Sequence, residues 1–203
     1  MFSGIVQGTA EISVHEIADG SSKLHVKFPA EGLAGIEVGA SIAIDGVCLT
    51  AAQISATVVE FDLVGETLAK TTLGDRRCGD KVNFERAATF GSEIGGHEMS
   101  GHISTIAEVV EISHPDNNYV LTFSVSPEWM RYILPKGFIG LDGASLTVAS
   151  TNPAGTFSVW LIPETLQRTC FSQRAIGATV NLEIDAKTQA IVDTVERYME
   201  ARN

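Results

Sequence analysis

Four blocks of this chain occur twice, in the same order and at nearly the same spacing. The run Ser3-Gly4-Ile5-Val6, continuing to Ile12, returns as Ser100-Gly101-His102-Ile103, continuing to Val109. Ile42 to Thr50 returns as Ile139 to Thr147, with Asp45-Gly46 matched by Asp142-Gly143. Glu66-Thr67-Leu68 returns as Glu164-Thr165-Leu166, and Gly79 to Asn83 as Gly177 to Asn181. A fixed order at a near-constant offset is the mark of an internal duplication. The blocks lie too far apart for a solenoid, so each copy must close its own core.

Each copy reads as β structure. Short apolar runs are punctuated by Gly and Asp, and an Asp-Gly between two such runs is a hairpin signal, because a type I′ turn needs positive φ. Val58 to Leu63 and Phe157 to Ile162 are further strands with partial alternation. About six short strands per copy favour a small closed barrel, since closure removes exposed edges. The expected fold is therefore all-β: two tandem six-stranded barrels. Glu66–Lys70 and Glu164–Arg168 read as single helical turns, and Phe90 to Gly96 as a glycine-rich join. The expected division is residues 1–97, 98–186 and a closing helix over 187–203. On that helix Ile191, Val195, Tyr198 and Met199 share a face, with Val192 beside it. So short a helix needs a packing partner, and having no counterpart in the repeat it reads as an oligomerisation element.

Charge and cysteine content narrow the function. The formal net charge is −11 and no Lys/Arg cluster occurs. That argues against nucleic acid and against anionic membrane surfaces. Cys48, Cys78 and Cys170 form no CxxC pair, which suggests a reducing compartment. The N-terminus lacks the basic and apolar regions of a secretory signal, no apolar run reaches the ~18–20 residues of a membrane span, and a cytoplasmic location is expected. His97 and His102 are five apart rather than four, so the zinc motif HExxH is not met and no metal is expected.

Within the repeat, three unequal positions stand out: Ile5 against His102, Cys48 against Ser145, and Ala87 against Asp185. Each has a bland reading. Cys48 suits a packing cysteine, His102 a surface or core histidine, Asp185 an N-cap for the last helix, and Lys136 a solvated charge. Cys78 and Cys170 read as packing residues. Yet a histidine replacing an aliphatic residue is a proton-transfer candidate, with its ordinary pKa of ~6.5 near neutrality.

Several motifs together resemble the riboflavin synthase family: Met1 to Val6, Gly46 to Thr50, Val82 to Ala87, Gly96-His97 through His102, Asp142 to Thr147, and Ile162 to Thr165. Small departures, such as Ser3 where the family usually has Thr, remove no functional group. The resemblance implies two Greek-key barrels per chain and a homotrimer formed through the C-terminal helices. It implies a cofactor-free dismutation in which two 6,7-dimethyl-8-ribityllumazine molecules exchange a four-carbon unit, giving riboflavin and 5-amino-6-(D-ribitylamino)uracil. Substrate contacts carry over to Gly4, Ile5, Val6, Cys48, Leu49, Thr50, Asp62, Leu63, Val64, Gly65, Glu66 and Thr67. In the second copy they carry over to Gly101, His102, Ile103, Lys136, Ser145, Leu146, Thr147, Ile162, Pro163, Glu164, Thr165, Leu166 and Gln167. Cys48, His102, Ser41, Ser145 and Asp185 are the implied catalytic residues. The implied active site lies between the first barrel of one subunit and the second barrel of a neighbour. Lumazine synthase, which would supply the substrate, is the candidate protein partner. Non-catalytic antenna proteins share the fold but lose the cysteine and polar groups of the second barrel; this chain keeps Cys48, Ser145, Thr147 and Asp185.

Overall fold

In the computed structural model, which describes residues 1–18 and 20–202, each copy closes as a six-stranded antiparallel barrel. The first contains β1 (Gly8–Ala18), β2 (Ser21–Lys27), β3 (Ser41–Ile44), β4 (Val47–Ser55), β5 (Val58–Val64) and β6 (Lys81–Arg86). The second contains β7 (Thr105–Ser113), β8 (Tyr119–Ser124), β9 (Phe138–Leu141), β10 (Ala144–Asn152), β11 (Thr156–Leu161) and β12 (Thr179–Ile184). The neighbour order β1-β2-β5-β4-β3-β6 is repeated in the second copy, and both orders are Greek-key. The two-residue turns Asp45-Gly46 and Asp142-Gly143 have positive φ at both positions, as the type I′ reading requires.

Closure is helped by bulges at matched places. The register shifts between Ile12 and Val14 and again between Val109 and Glu111. It also shifts between Ala51 and Gln53 and between Val148 and Ser150. An extra residue bends a strand and raises its twist, which is what a small barrel needs. Phe61 fills the first core, and Phe123, Phe157 and Phe171 the second, all fully buried. Burying one such ring is worth roughly 1.5–3 kcal/mol.

After β5 and β11 come the helical turns α1 (Gly65–Lys70) and α2 (Pro163–Arg168). Thr71 and Thr169 tie them down identically: each hydroxyl donates to a carbonyl of the turn and accepts the N–H of the residue two further on.

The barrels meet back to back across a pseudo-twofold axis. Gly46 and Gly143 face one another so closely that a Cβ on Gly46 would lie 2.6 Å from the Gly143 nitrogen. The buried Asn83 side chain donates to the Asp142 carbonyl (2.9 Å) and accepts from the Cys170 N–H (2.8 Å). Asn181 does the same to the Asp45 carbonyl (2.8 Å) and the Thr72 N–H (2.7 Å). Buried Asp45 is paired with Arg76 at 2.7 Å, and buried Asp142 with Arg174 at 2.5 Å. Burial, then the neighbouring Asp45, pushes the Asp142 carboxyl up to about 7. Burial pushes the Cys170 thiol up to about 12, so this cysteine is an inert packing residue, as expected. Cys78 departs from expectation: it is exposed, and its thiol donates to the Ser13 carbonyl at 3.0 Å.

The closing helix α3 spans Ala186–Glu200. Val192 packs on the second core, and Asp193 and Glu196 hold Tyr132 and Arg131. Ile191, Val195, Tyr198 and Met199 remain 51–65% exposed.

Candidate functional site

The N-terminal arm of each copy leaves its own barrel and leans on the other. Phe2 and Met99 pair across the axis through two backbone hydrogen bonds of 2.8 and 3.0 Å. Val6 then inserts into the second core, while Ile103 packs against the first. The Gly4 carbonyl accepts the Ser145 N–H at 2.8 Å, and the Gly101 carbonyl accepts the Cys48 N–H at 2.9 Å. Both glycines have φ near +80°, and a Cβ on either would lie 2.5–2.6 Å from the Cβ of Ser145 or Cys48. Only glycine lets the arms approach this closely.

Exchange of arms sorts the sequence-derived residues into two constellations. On the second barrel Gly4, Ile5, Val6, Ser145, Leu146, Ile162, Glu164 and Thr165 line one cavity of about 440 Å³. That is within the usual range for a small-molecule site, about 300–1,000 Å³. Pro163, Leu166 and Gln167 belong to the same helical turn, α2, as Glu164 and Thr165. Thr147 and Lys136 lie farther along, in a separate hollow beside Trp160. Lys136 has φ +68°, a left-handed backbone uncommon for a lysine.

On the first barrel the matched elements are Cys48-Leu49-Thr50 on β4, Asp62-Leu63-Val64 on β5, Gly65-Glu66-Thr67 on α1, and the arm Gly101-His102-Ile103. Leu49, Leu63 and Leu146 turn their side chains into the cores, so only their backbone is free to face a ligand. Glu66 is engaged by Lys70 at 2.9 Å and Glu164 by Arg168, both on the surface.

The polar residues form two groups. Half-buried Cys48 packs against Phe2, Ala43 and Met99. The exposed His102 side chain follows Gly101 directly, and Ser41 pairs with Thr50 on the adjoining strand. On the other barrel the Ser145 hydroxyl lies 2.6 Å from Nδ1 of His97. His97 is buried, stacks on Phe138 with centroids 5.0 Å apart, and its Nε2 has no protein partner. Burial depresses its pKa, which favours the neutral ring. His97, Phe138 and Asp185 border a second cavity of about 580 Å³. Asp185 is both N-cap and pocket residue: its carboxylate accepts from Thr188 N–H (2.8 Å) and hydroxyl (2.7 Å). Burial opposes its ionisation, but those hydrogen bonds outweigh it and hold the pKa below the ordinary value.

His97 is the residue that comparison of the copies misses. It lies ahead of the repeated block that begins at Ser100, in the stretch between the copies. A larger cavity, about 970 Å³, lies between the 88–95 join and β6 and holds neither Cys48 nor Ser145. Among the described residues no cluster of His, Cys, Asp and Glu suits a metal ion, and no helix is long and apolar enough to cross a membrane.

A model of the lumazine-binding domain matches residues 3–87 and again 100–185. Riboflavin synthase of Escherichia coli (strain K12) is 53% identical over 204 residues, covering 100% of this chain and 95% of that protein. The chain belongs to the riboflavin synthase family. Another riboflavin synthase, from Chlamydia pneumoniae, is 44% identical over 98% of this chain and 97% of that protein. Two solved structures of LumP are similar in fold. The complex with 6,7-dimethyl-8-(1′-D-ribityl) lumazine has a TM-score of 0.82 at 25% identity, covering 91% of this chain and 99% of that one. The complex with riboflavin has a TM-score of 0.85 at 27% identity, over 91% and 100%. Two lumazine-binding domains in one riboflavin synthase family chain account for two constellations built on one plan.

Proposed function

We propose that this chain is a riboflavin synthase, a transferase that dismutates two molecules of 6,7-dimethyl-8-ribityllumazine into riboflavin and 5-amino-6-(D-ribitylamino)uracil. The observation that carries the reading is the pair of matched constellations, each with a small polar residue, Cys48 or Ser145, whose backbone N–H meets an exchanged arm. A reaction between two identical molecules needs two similar sites, and holding both reactants in register recovers much of the bimolecular entropy cost. The first pocket comprises Cys48–Thr50, Asp62–Thr67 and Gly101–Ile103. The second comprises Gly4–Val6, Ser145, Leu146 and Ile162–Gln167, with Thr147 and Lys136 in the hollow beside Trp160. Their many backbone donors and acceptors suit the polar edge of a pteridine.

The lumazine ring is electron-poor and its 7-methyl group is acidic for a C–H, so positioning, proton transfer and charge stabilisation suffice. His102 assists removal of the methyl proton. Cys48, Ser41, Ser145 and Asp185 position or activate the group added at the electrophilic ring carbon, and Thr147 supports the second pocket. The pockets on residues 1–97 and 98–186 come together between neighbouring subunits of a homotrimer. The apolar face of α3, within 187–203, is the surface that joins the subunits. The enzyme works in the cytoplasm, where lumazine synthase is its candidate partner.

The similarity to LumP supports a second reading, a lumazine carrier without turnover. Adding the lumazine to purified protein with no cofactor and following flavin absorbance separates the two. Riboflavin formation is the expected result, and binding without it would establish the carrier. Replacing Cys48 or His102 by Ala should lower turnover more than ligand binding. Unchanged turnover in both variants would remove their assignment.

A further inference from the structure

Glu85 on β6 and Glu183 on β12 have no part in the chemistry above, yet they are only 4% and 5% exposed. A buried carboxylate is costly unless well hydrogen-bonded. Glu85 accepts from the Ser3 N–H and hydroxyl, both at 2.7 Å, and from the Gly4 N–H at 3.0 Å. Glu183 accepts from the Ser100 N–H (2.7 Å) and hydroxyl (2.8 Å), and from the Gly101 N–H at 3.1 Å. Each serine oxygen in turn accepts the N–H two residues on, that of Ile5 at 3.4 Å and that of His102 at 3.1 Å.

Every arm is thus held at both edges. Glu85 of the first barrel grips one edge of Ser3-Gly4, and the Ser145 N–H of the second barrel grips the other. Glu183 of the second barrel grips Ser100-Gly101, which meets the Cys48 N–H of the first. Only an ionised carboxylate offers acceptors on both oxygens; an amide would turn its own N–H2 towards the glycine N–H. Hydrogen bonds to a charged acceptor are also the stronger kind. Burial raises both carboxyl pKa values, and the bonds from each arm oppose that rise.

We propose that Glu85 and Glu183 are crossed positioning residues. Glu85, in the first barrel, sets the wall of the second barrel's pocket. Glu183, in the second barrel, sets the wall of the first barrel's pocket and with it the placement of His102. The inference rests on the reading of the two pockets as lumazine sites.

The test is riboflavin titration of the full chain, with the backbone amide NMR signals of Cys48 and Ser145 reporting the two pockets separately, alongside turnover of the lumazine. Glu85→Gln is expected to weaken riboflavin about ten-fold at Ser145 and to leave the Cys48 response within about two-fold. Glu183→Gln is expected to do the reverse. It should also lower kcat more than Glu85→Gln does, since misplacing a reacting group by about 1 Å can cost about 100-fold. Ser3→Ala and Ser100→Ala, which delete one hydroxyl each, should give the same crossed pattern more weakly if either Gln variant does not fold. Weakening in the substituted residue's own barrel, equal weakening in both pockets, or no change would overturn the proposal while wild-type turnover upheld the synthase reading. A wild-type chain that neither binds nor converts would overturn both.

Discussion

Replacing Asn83 by Ala tests whether the pseudo-twofold interface fixes the two barrels relative to each other. The side chain spans that interface, donating to the Asp142 carbonyl and accepting from the Cys170 N–H. Asn83 is 1% exposed, so truncation strands two backbone groups of the second barrel. Each unsatisfied buried group costs about 1–3 kcal/mol, giving a loss of about 2–6 kcal/mol. A water entering the vacated space would bring the loss towards the lower bound. For a chain of this size each kcal/mol moves Tm by about 2–4 °C, so a fall of at least about 4 °C is expected. Differential scanning calorimetry and urea unfolding measure it. Because the damage lies between barrels, their unfolding should also separate, with van't Hoff enthalpy falling below calorimetric. Asn181→Ala should behave alike, and the double variant should be non-additive, since both side chains bridge one interface. A loss under about 0.5 kcal/mol in both single variants, with cooperativity intact, would refute the idea that these amides lock the barrels together.

Gly46→Ala should be more damaging than an exposed Gly20→Ala, because its Cβ would strike the Gly143 backbone whereas Gly20 has open space; comparative Tm measurements check this. His97→Ala frees the Ser145 hydroxyl and unstacks Phe138, and is expected to lower flavin formation at least about ten-fold, read by steady-state kinetics. Tyr198→Glu on α3 adds a charge to its exposed apolar face and should shift the protein to smaller species in analytical ultracentrifugation. For Asp142 the folded carboxyl, at about 7, holds its proton longer than the unfolded one at 3.8. The folded state therefore binds more protons between those values, and this contribution to stability falls as pH rises through the window and is flat above it. Relative to Asp142→Asn, wild type should lose stability as pH rises from 5 to 7; a constant difference would refute the shift.

The barrels were legible because their signals are local and were printed twice. Two Asp-Gly turns, matched apolar runs and matched helical turns left little freedom in topology. Composition also foretold the unsatisfied face of α3 from the spacing of Ile191, Val195, Tyr198 and Met199. Three features stayed hidden. Nothing local marks Asn83 and Asn181 as bridges, since the partners of Asn181 lie 109 and 136 positions away and those of Asn83 lie 87 and 59. His97 lies outside the repeated blocks, so the contrast between copies does not reach it. Cys78 looked like core because cysteine usually is, but it sits in the turn before β6, open to solvent.

Exchange of the arms was the least legible feature and changes what the duplication means. Sequence similarity set Ile5 against His102 as if each served its own copy. In space Ile5 lines the pocket of Ser145, and the arm of His102 borders Cys48. The first-barrel pocket therefore has both the thiol and the exposed histidine. The second has the serine backed by His97 with Asp185 near it. Two constellations of one plan thereby hold different polar side chains, a difference the proposed reaction between identical molecules would use if one is to donate and the other to accept. The asymmetry arises from the substituted positions together with the crossing, which carries Ile5 and the arm of His102 to the other copy's barrel while Cys48 and Ser145 stay on their own.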